Sequence, residues 1–249
     1  IFLAFLFNAP CVSKSSIGSV HLLDTISPIT PDVENISVNS LGQSEISWIS
    51  SPNTDFYIIY IQDNDGAWIT LDSVPSVQNT YIYQNSQASS VIESFSVRAV
   101  DSCGNSLVKS LEHNSILLTN SSDACDYSIS LDWNEYINWI GGTNHYKVLI
   151  TETDANNVIT ITEVRVQGDT ELIIENIGTM SSYIIVVEAY NSDSSFVAVS
   201  NQIDLDIDLP NKPMFNYIEY ATVNHDDGSV DLSCIVDLSA VIDHYDVYR

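Results

Sequence analysis

The sequence predicts an all-β protein built from antiparallel β-sandwiches in tandem. Three observations lead there. Short runs alternate apolar and polar residues with a period of two, and no helix-period pattern of useful length interrupts them. Polar clusters such as Asn64-Asp-Gly66 and Asp226-Asp-Gly228 separate the runs as tight hairpin turns do. One strand-pair pattern also recurs along the chain at an interval of about ninety residues.

The chain opens on Ile1 to Phe7, IFLAFLF, an apolar run without an initiator Met or a basic start. A bilayer span needs about 20 residues, so residues 1–20 are expected to be the remnant of a secretory signal with its leader. Export then follows, with an oxidising compartment for the cysteines. No other stretch is long enough for a transmembrane helix.

The first copy of the repeat is Glu45-Ile-Ser-Trp48 followed by Phe56-Tyr-Ile-Ile-Tyr60. The second is Ser130-Leu-Asp-Trp133 followed by His145-Tyr-Lys-Val-Leu149, and the third Asp231-Leu-Ser-Cys234 followed by His244-Tyr-Asp-Val-Tyr248. Each is a short strand with inward alternation, then a second strand led by an aromatic residue. In the first two copies a further strand follows, Glu93 to Val100 and Ser182 to Tyr190, each ending in a polar turn. Asp154 to Asn157 joins two more strands, Tyr146–Thr151 and Val158–Val166.

Charge narrows the function. The 249 residues hold 33 Asp and Glu against 7 Lys and Arg, a formal net charge of −26. Nucleic-acid binding needs clustered cations to neutralise phosphates, and anionic membrane surfaces need the same, so both are disfavoured. Hydrophobic residues make up 45 %, enough for a core and too many for a disordered chain.

The repeat resembles tandem fibronectin type III domains, an immunoglobulin-like β-sandwich fold. In that family an inward Trp lies on strand B, a Tyr on strand C, and a corner Tyr opens strand F six residues after an apolar one. Trp48 and Trp133 match the first feature, Tyr57 and Tyr146 the second, and Ile177 with Tyr183 the third. Phe95 stands where the first copy should carry its corner Tyr, and Cys234 replaces the third Trp. Asp101-Ser-Cys-Gly-Asn105, His113-Asn-Ser-Ile-Leu-Leu118, Cys125 and Ile129-Ser-Leu-Asp-Trp-Asn-Glu-Tyr136 further resemble the repeats of gliding-motility-associated, type IX-secreted surface proteins of Bacteroidota. The resemblance covers about residues 28 to 249. It implies one domain over 28–119, a second over 120–209, and a third over 210–249 that is incomplete, so the last sandwich is expected to be truncated.

The resemblance and the oxidising compartment together imply a disulfide between Cys103 and Cys125 that stiffens the first junction, with two free thiols as the alternative. Cys234, at a strand B core position, is expected to be a buried thiol. His145 and His244 hold the repeat position that Phe56 fills in the first copy, which argues for packing; His113 is expected to be structural too. Asp204, Asp206 and Asp208 share one strand face, but their spacing is too wide for one calcium shell without another loop. No zinc spacing, nucleophile elbow or phosphate loop is present, so neither catalysis nor a cofactor or metal is expected. Trp68 and Trp139, the latter beside Gly141-Gly142, are the candidate ligand contacts.

The expected function is therefore a non-catalytic extracellular spacer or adhesion module of a longer secreted or cell-surface protein. A module binding an extracellular glycan or protein is the alternative, as is an accessory region of a secreted hydrolase. The expected partners are further domains of the same chain and such a glycan or protein.

Overall fold

The computed structural model describes residues 24–123, 126–209 and 213–240, with 242, 244 and 246, and the backbone of 3–5 and 12–14. At the amino end β1 (Leu3–Phe5) pairs antiparallel with β2 (Val12–Lys14). This three-pair ladder lies within the segment expected to be a signal remnant and leader.

Two sandwiches follow. The first comprises β3 (Val33–Val38), β4 (Ser44–Trp48), β5 (Phe56–Gln62), β6 (Trp68–Pro75), β7 (Thr80–Ile82), β8 (Ser94–Val100) and β9 (His113–Asn114). Its sheets run β3-β4-β7 and β6-β5-β8-β9. The second comprises β10 (Leu118–Asp123), β11 (Ser128–Trp133), β12 (Thr143–Asp154), β13 (Ile159–Val166), β14 (Glu171–Glu175), β15 (Met180–Asn191), β16 (Val197–Val199) and β17 (Ile203–Asp208). Its sheets run β10-β11-β14 and β13-β12-β15-β16, with β17 also paired to β15. The chain is all-β, in tandem fibronectin type III-like sandwiches.

Period-two alternation builds both cores. Ile46 and Trp48 face inward from β4, Tyr57 and Ile59 from β5, and Phe95, Val97 and Ala99 from β8; all are buried. Leu131 and Trp133, Tyr146 and Val148, and Tyr183, Ile185 and Val187 repeat the pattern. Each large side chain so buried contributes about 3 kcal/mol. The Trp–Tyr pair packs edge to face in both copies, with ring centroids 5.2 Å apart for Trp48 and Tyr57 and 5.6 Å for Trp133 and Tyr146. The strand C tyrosine has a second task. Tyr57 Oη accepts from Ser51 N at 2.8 Å and Tyr146 Oη from Tyr136 N at 3.0 Å, which pins the loop after the Trp strand in each domain.

The corner tyrosine is in place in the second domain, where Tyr183 Oη accepts from Gly178 N at 2.8 Å. The first domain solves the same problem with Glu93. Its buried carboxylate accepts from Ser44 Oγ at 2.7 Å, Ser86 Oγ at 2.6 Å and Gln87 N at 2.7 Å, tying the 86–93 loop to β4. Glu93→Gln puts an amide NH₂ among three donors and is expected to cost about 2 kcal/mol in urea unfolding. A loss within error of zero would show that the loop is held by packing alone.

The expected turns form. In Asp101–Asn105 the Asp101 carboxylate accepts from Cys103 N and Asn105 N, which holds it below the usual carboxylate range although desolvation opposes the shift. Gly66 and Gly228 adopt φ of 80° and 73° in their hairpins, a region open to glycine. β18 (Asn216–Val223) and β19 (Val230–Val236) form a separate antiparallel pair. Cys234 is exposed there, contrary to the expected buried thiol, because no second sheet covers the pair among the described residues. The strand expected over 244–248 lies largely outside the described residues.

Candidate functional site

The densest set of long-range polar contacts lies between the two sandwiches. Its cause is the outer edge of β3. This strand ends the order β3-β4-β7, so alternate amide and carbonyl groups point away from β4 and need partners. The second domain supplies them. Tyr136 Oη accepts from Ile36 N at 2.9 Å, Trp139 Nε1 donates to Glu34 O at 2.6 Å, and Ser37 Oγ accepts from Val199 N at 3.1 Å.

Tyr136 is the centre of this junction. It is buried, its ring lies 4.0 Å from that of Trp139, and its hydroxyl meets His113 Nδ1 at 3.1 Å. With Tyr136 Oη accepting from Ile36 N, the neutral His113 tautomer protonated on Nε2 is the one that gives the phenol proton an acceptor, at Nδ1. Burial favours the same neutral form, pushing the imidazole down to about 4. Burial also pushes the Tyr136 phenol well up, so it stays protonated and available as a donor.

Asparagines fasten the linker. Asn114 Oδ1 accepts from Ile137 N at 3.0 Å while its amide donates to Glu135 O at 2.9 Å. Asn134 Oδ1 accepts from Leu117 N at 2.7 Å and its amide donates to Ser115 O at 3.0 Å. Asn201 brackets Leu118 through both N and O. Half of the backbone groups from Ser115 to Leu118 are thereby claimed by side chains, which restrains the link between the domains as a hinge.

The expected site residues fall in three places. Trp139 is only 6 % exposed; its indole is spent on Glu34 and Tyr136, which corrects its reading as an open loop contact. Trp68 opens β6 on the outer face of its sheet. Lys109 Nζ lies 3.0 Å from its ring centroid, so one face of the indole is already covered. Cys103 is exposed with a free thiol, and Cys125, its expected disulfide partner, lies outside the described residues.

His113 and His145 pack, whereas His244, expected to do the same, has an exposed side chain. His145 stacks on Tyr190 at 4.7 Å with planes 5° apart, beside the Lys147–Glu188 ion pair of 2.8 Å. Hydrogen bonds to Glu188 and Tyr190 raise the Lys147 ammonium above its ordinary range. Asp204, Asp206 and Asp208 all face solvent on β17. Among the described residues no group of three or more His, Cys, Asp or Glu could hold a metal ion, and no helix is long and apolar enough to cross a membrane.

Sequence reasoning missed Tyr136 and Glu93. One signal for Tyr136 was present: 85 residues earlier, at the matching repeat position, stands the small Ser51, so a large aromatic there had no role inside its own domain.

No family model matches the chain, and no curated protein matches it. Solved structures similar to it include the FN1–FN3 domains of chicken CNTN1, at 18 % identity over 73 % of this chain and 66 % of that one, with a TM-score of 0.29. The chicken interferon gamma receptor alpha chain is similar at 11 % identity over 75 % of this chain and 100 % of that one, with a TM-score of 0.31.

Proposed function

We propose that the two sandwiches serve as a non-catalytic spacer with a fixed interdomain angle, within a longer secreted or cell-surface protein of the gliding-motility-associated kind. The observation that carries this reading is the covering of the β3 edge by Tyr136, Trp139 and Val199 of the following domain. A linker that only tethers has no use for three such bonds and an asparagine-bracketed crossing. The strings that carry the resemblance, His113-Asn-Ser-Ile-Leu-Leu118 and Trp133-Asn-Glu-Tyr136, are the ones that build this junction, which supports its belonging to the repeat's purpose. Rigid units in series hold a distal part away from the cell and transmit its orientation.

The test is ¹⁵N relaxation of the whole chain. Amides of residues 33–114 and of 118–208 are expected to report one shared tumbling time and one diffusion tensor. Two independent tumbling times would overturn the fixed-angle reading.

A further inference from the structure

A cavity of about 320 Å³ opens beside the junction, walled by both domains. His113, Trp139 and Asn191 contribute buried walls, and Phe196 closes one side. At its mouth stand three apolar side chains that the fold leaves in water: Ile49 at 46 %, Leu111 at 67 % and Ile140 at 83 % exposure. Single exposed apolar residues are ordinary, but three from two domains around one cavity form a continuous apolar rim. The volume is at the low end of ligand cavities, about 300–1,000 Å³, which suits one inserted side chain better than a whole ligand.

Charge decides what kind. Asp32 is the one charged residue in the lining apart from the neutral His113, and no Lys or Arg lines it. The Asp32 carboxylate is exposed and makes no hydrogen bond or ion pair among the described residues. Around it the chain carries −26. An anionic partner meets repulsion at the mouth and at long range, whereas a cation is steered in.

We propose that this cavity is a docking site for a partner protein's loop in which a large apolar side chain is flanked by Lys or Arg, the former entering between Ile49, Leu111 and Ile140 and the latter pairing with Asp32. The junction's hydrogen bonds keep the cavity formed before the partner arrives, so binding carries little ordering cost. This goes beyond the spacer reading and rests on the junction it describes, but the two fail distinguishably: relaxation tests the angle, peptide binding tests the cavity.

The experiment titrates the full chain with three blocked dipeptides, acetyl-Phe-Lys-amide, acetyl-Phe-Glu-amide and acetyl-Ala-Lys-amide, and follows the Trp139 indole N–H by NMR. The Phe-Lys probe is expected to shift that resonance with a Kd in the millimolar range, and Phe-Glu to bind about tenfold more weakly. Ala-Lys is expected to leave the resonance in place at about 10 mM. Asp32→Asn should erase the Lys-over-Glu preference, and Leu111→Asp should abolish the Phe-dependent shift, both with an unchanged thermal midpoint. Equal response to all three probes, no response to any, or a preference that survives Asp32→Asn would overturn the proposal. Shifts that depend on protein concentration without peptide would overturn it too, assigning the cavity to a second copy of the chain.

Discussion

Tyr136→Ala is expected to lower the unfolding free energy by about 4 kcal/mol and to split one cooperative urea transition into two. The magnitude follows from two losses. Removing a buried aromatic side chain costs about 3–5 kcal/mol with its cavity, and Ile36 N and His113 Nδ1 each lose their partner. The splitting follows from position, since the ring belongs to the second domain while both hydrogen-bond partners belong to the first. Tyr136→Phe separates the contributions. It keeps the ring against Trp139, loses the hydroxyl, and is expected to cost about 2 kcal/mol with the transition still single. A cost below about 1 kcal/mol for the alanine variant would show that the domains do not rely on this contact.

The second result concerns pH. His113 titrates near its ordinary 6.5 in the unfolded chain and at about 4 in the folded one, held down by burial. Above 6.5 neither state is protonated at this site and the histidine sets no pH dependence. Between 6.5 and 4 the unfolded chain takes up a proton that the folded chain refuses, so stability falls with falling pH and levels off below 4. The contribution is about 2 kcal/mol between pH 8 and pH 5. The many carboxylates change their mutual repulsion over part of the same range, so the measured quantity is a difference. His113→Gln keeps a neutral side chain, and the wild type is expected to lose about 2 kcal/mol more than this variant on going from pH 8 to pH 5. Parallel pH curves for the two proteins would show that the imidazole is protonated within the fold. The structural correlate lies at the junction: a proton on Nδ1 leaves Tyr136 with two donors and no acceptor for its own hydrogen.

What was legible in the sequence was local. Alternation around Trp48, Tyr57, Trp133 and Tyr146 marked the core strands, and Ile177 with Tyr183 marked the corner, because each signal lies within one strand or one turn. The junction escaped because its bonds join residues a hundred positions apart: Ile36 to Tyr136, Glu34 to Trp139. Trp139 read as a loop aromatic since Gly141-Gly142 follow it. Nothing local says that a free carbonyl of another domain's edge strand waits opposite. Cys234 erred for the reverse reason. Its alternation was right, but burial requires a second sheet, which is a property of the assembly and not of the strand. Glu93 was hidden twice over: the corner phenol was sought two residues on, at Phe95, whereas the strand registers align Glu93 with Tyr183, and an acid shares with a phenol only the ability to accept from a loop amide.

The covered edge of β3 also bears on how the protein is made. Synthesis delivers the first sandwich before Tyr136, Trp139 and Val199 exist, so for a time its amide of Ile36 and carbonyl of Glu34 face outward with no permanent partner. An open edge of that kind recruits any strand that comes near, including the same edge of a neighbouring nascent chain. The next strand off the ribosome is β10, tethered a few residues away, and its domain arrives already aligned by Asn114 and Asn134. The second domain thus acts as the intramolecular chaperone of the first, sealing the edge that the first sandwich leaves open when it is made.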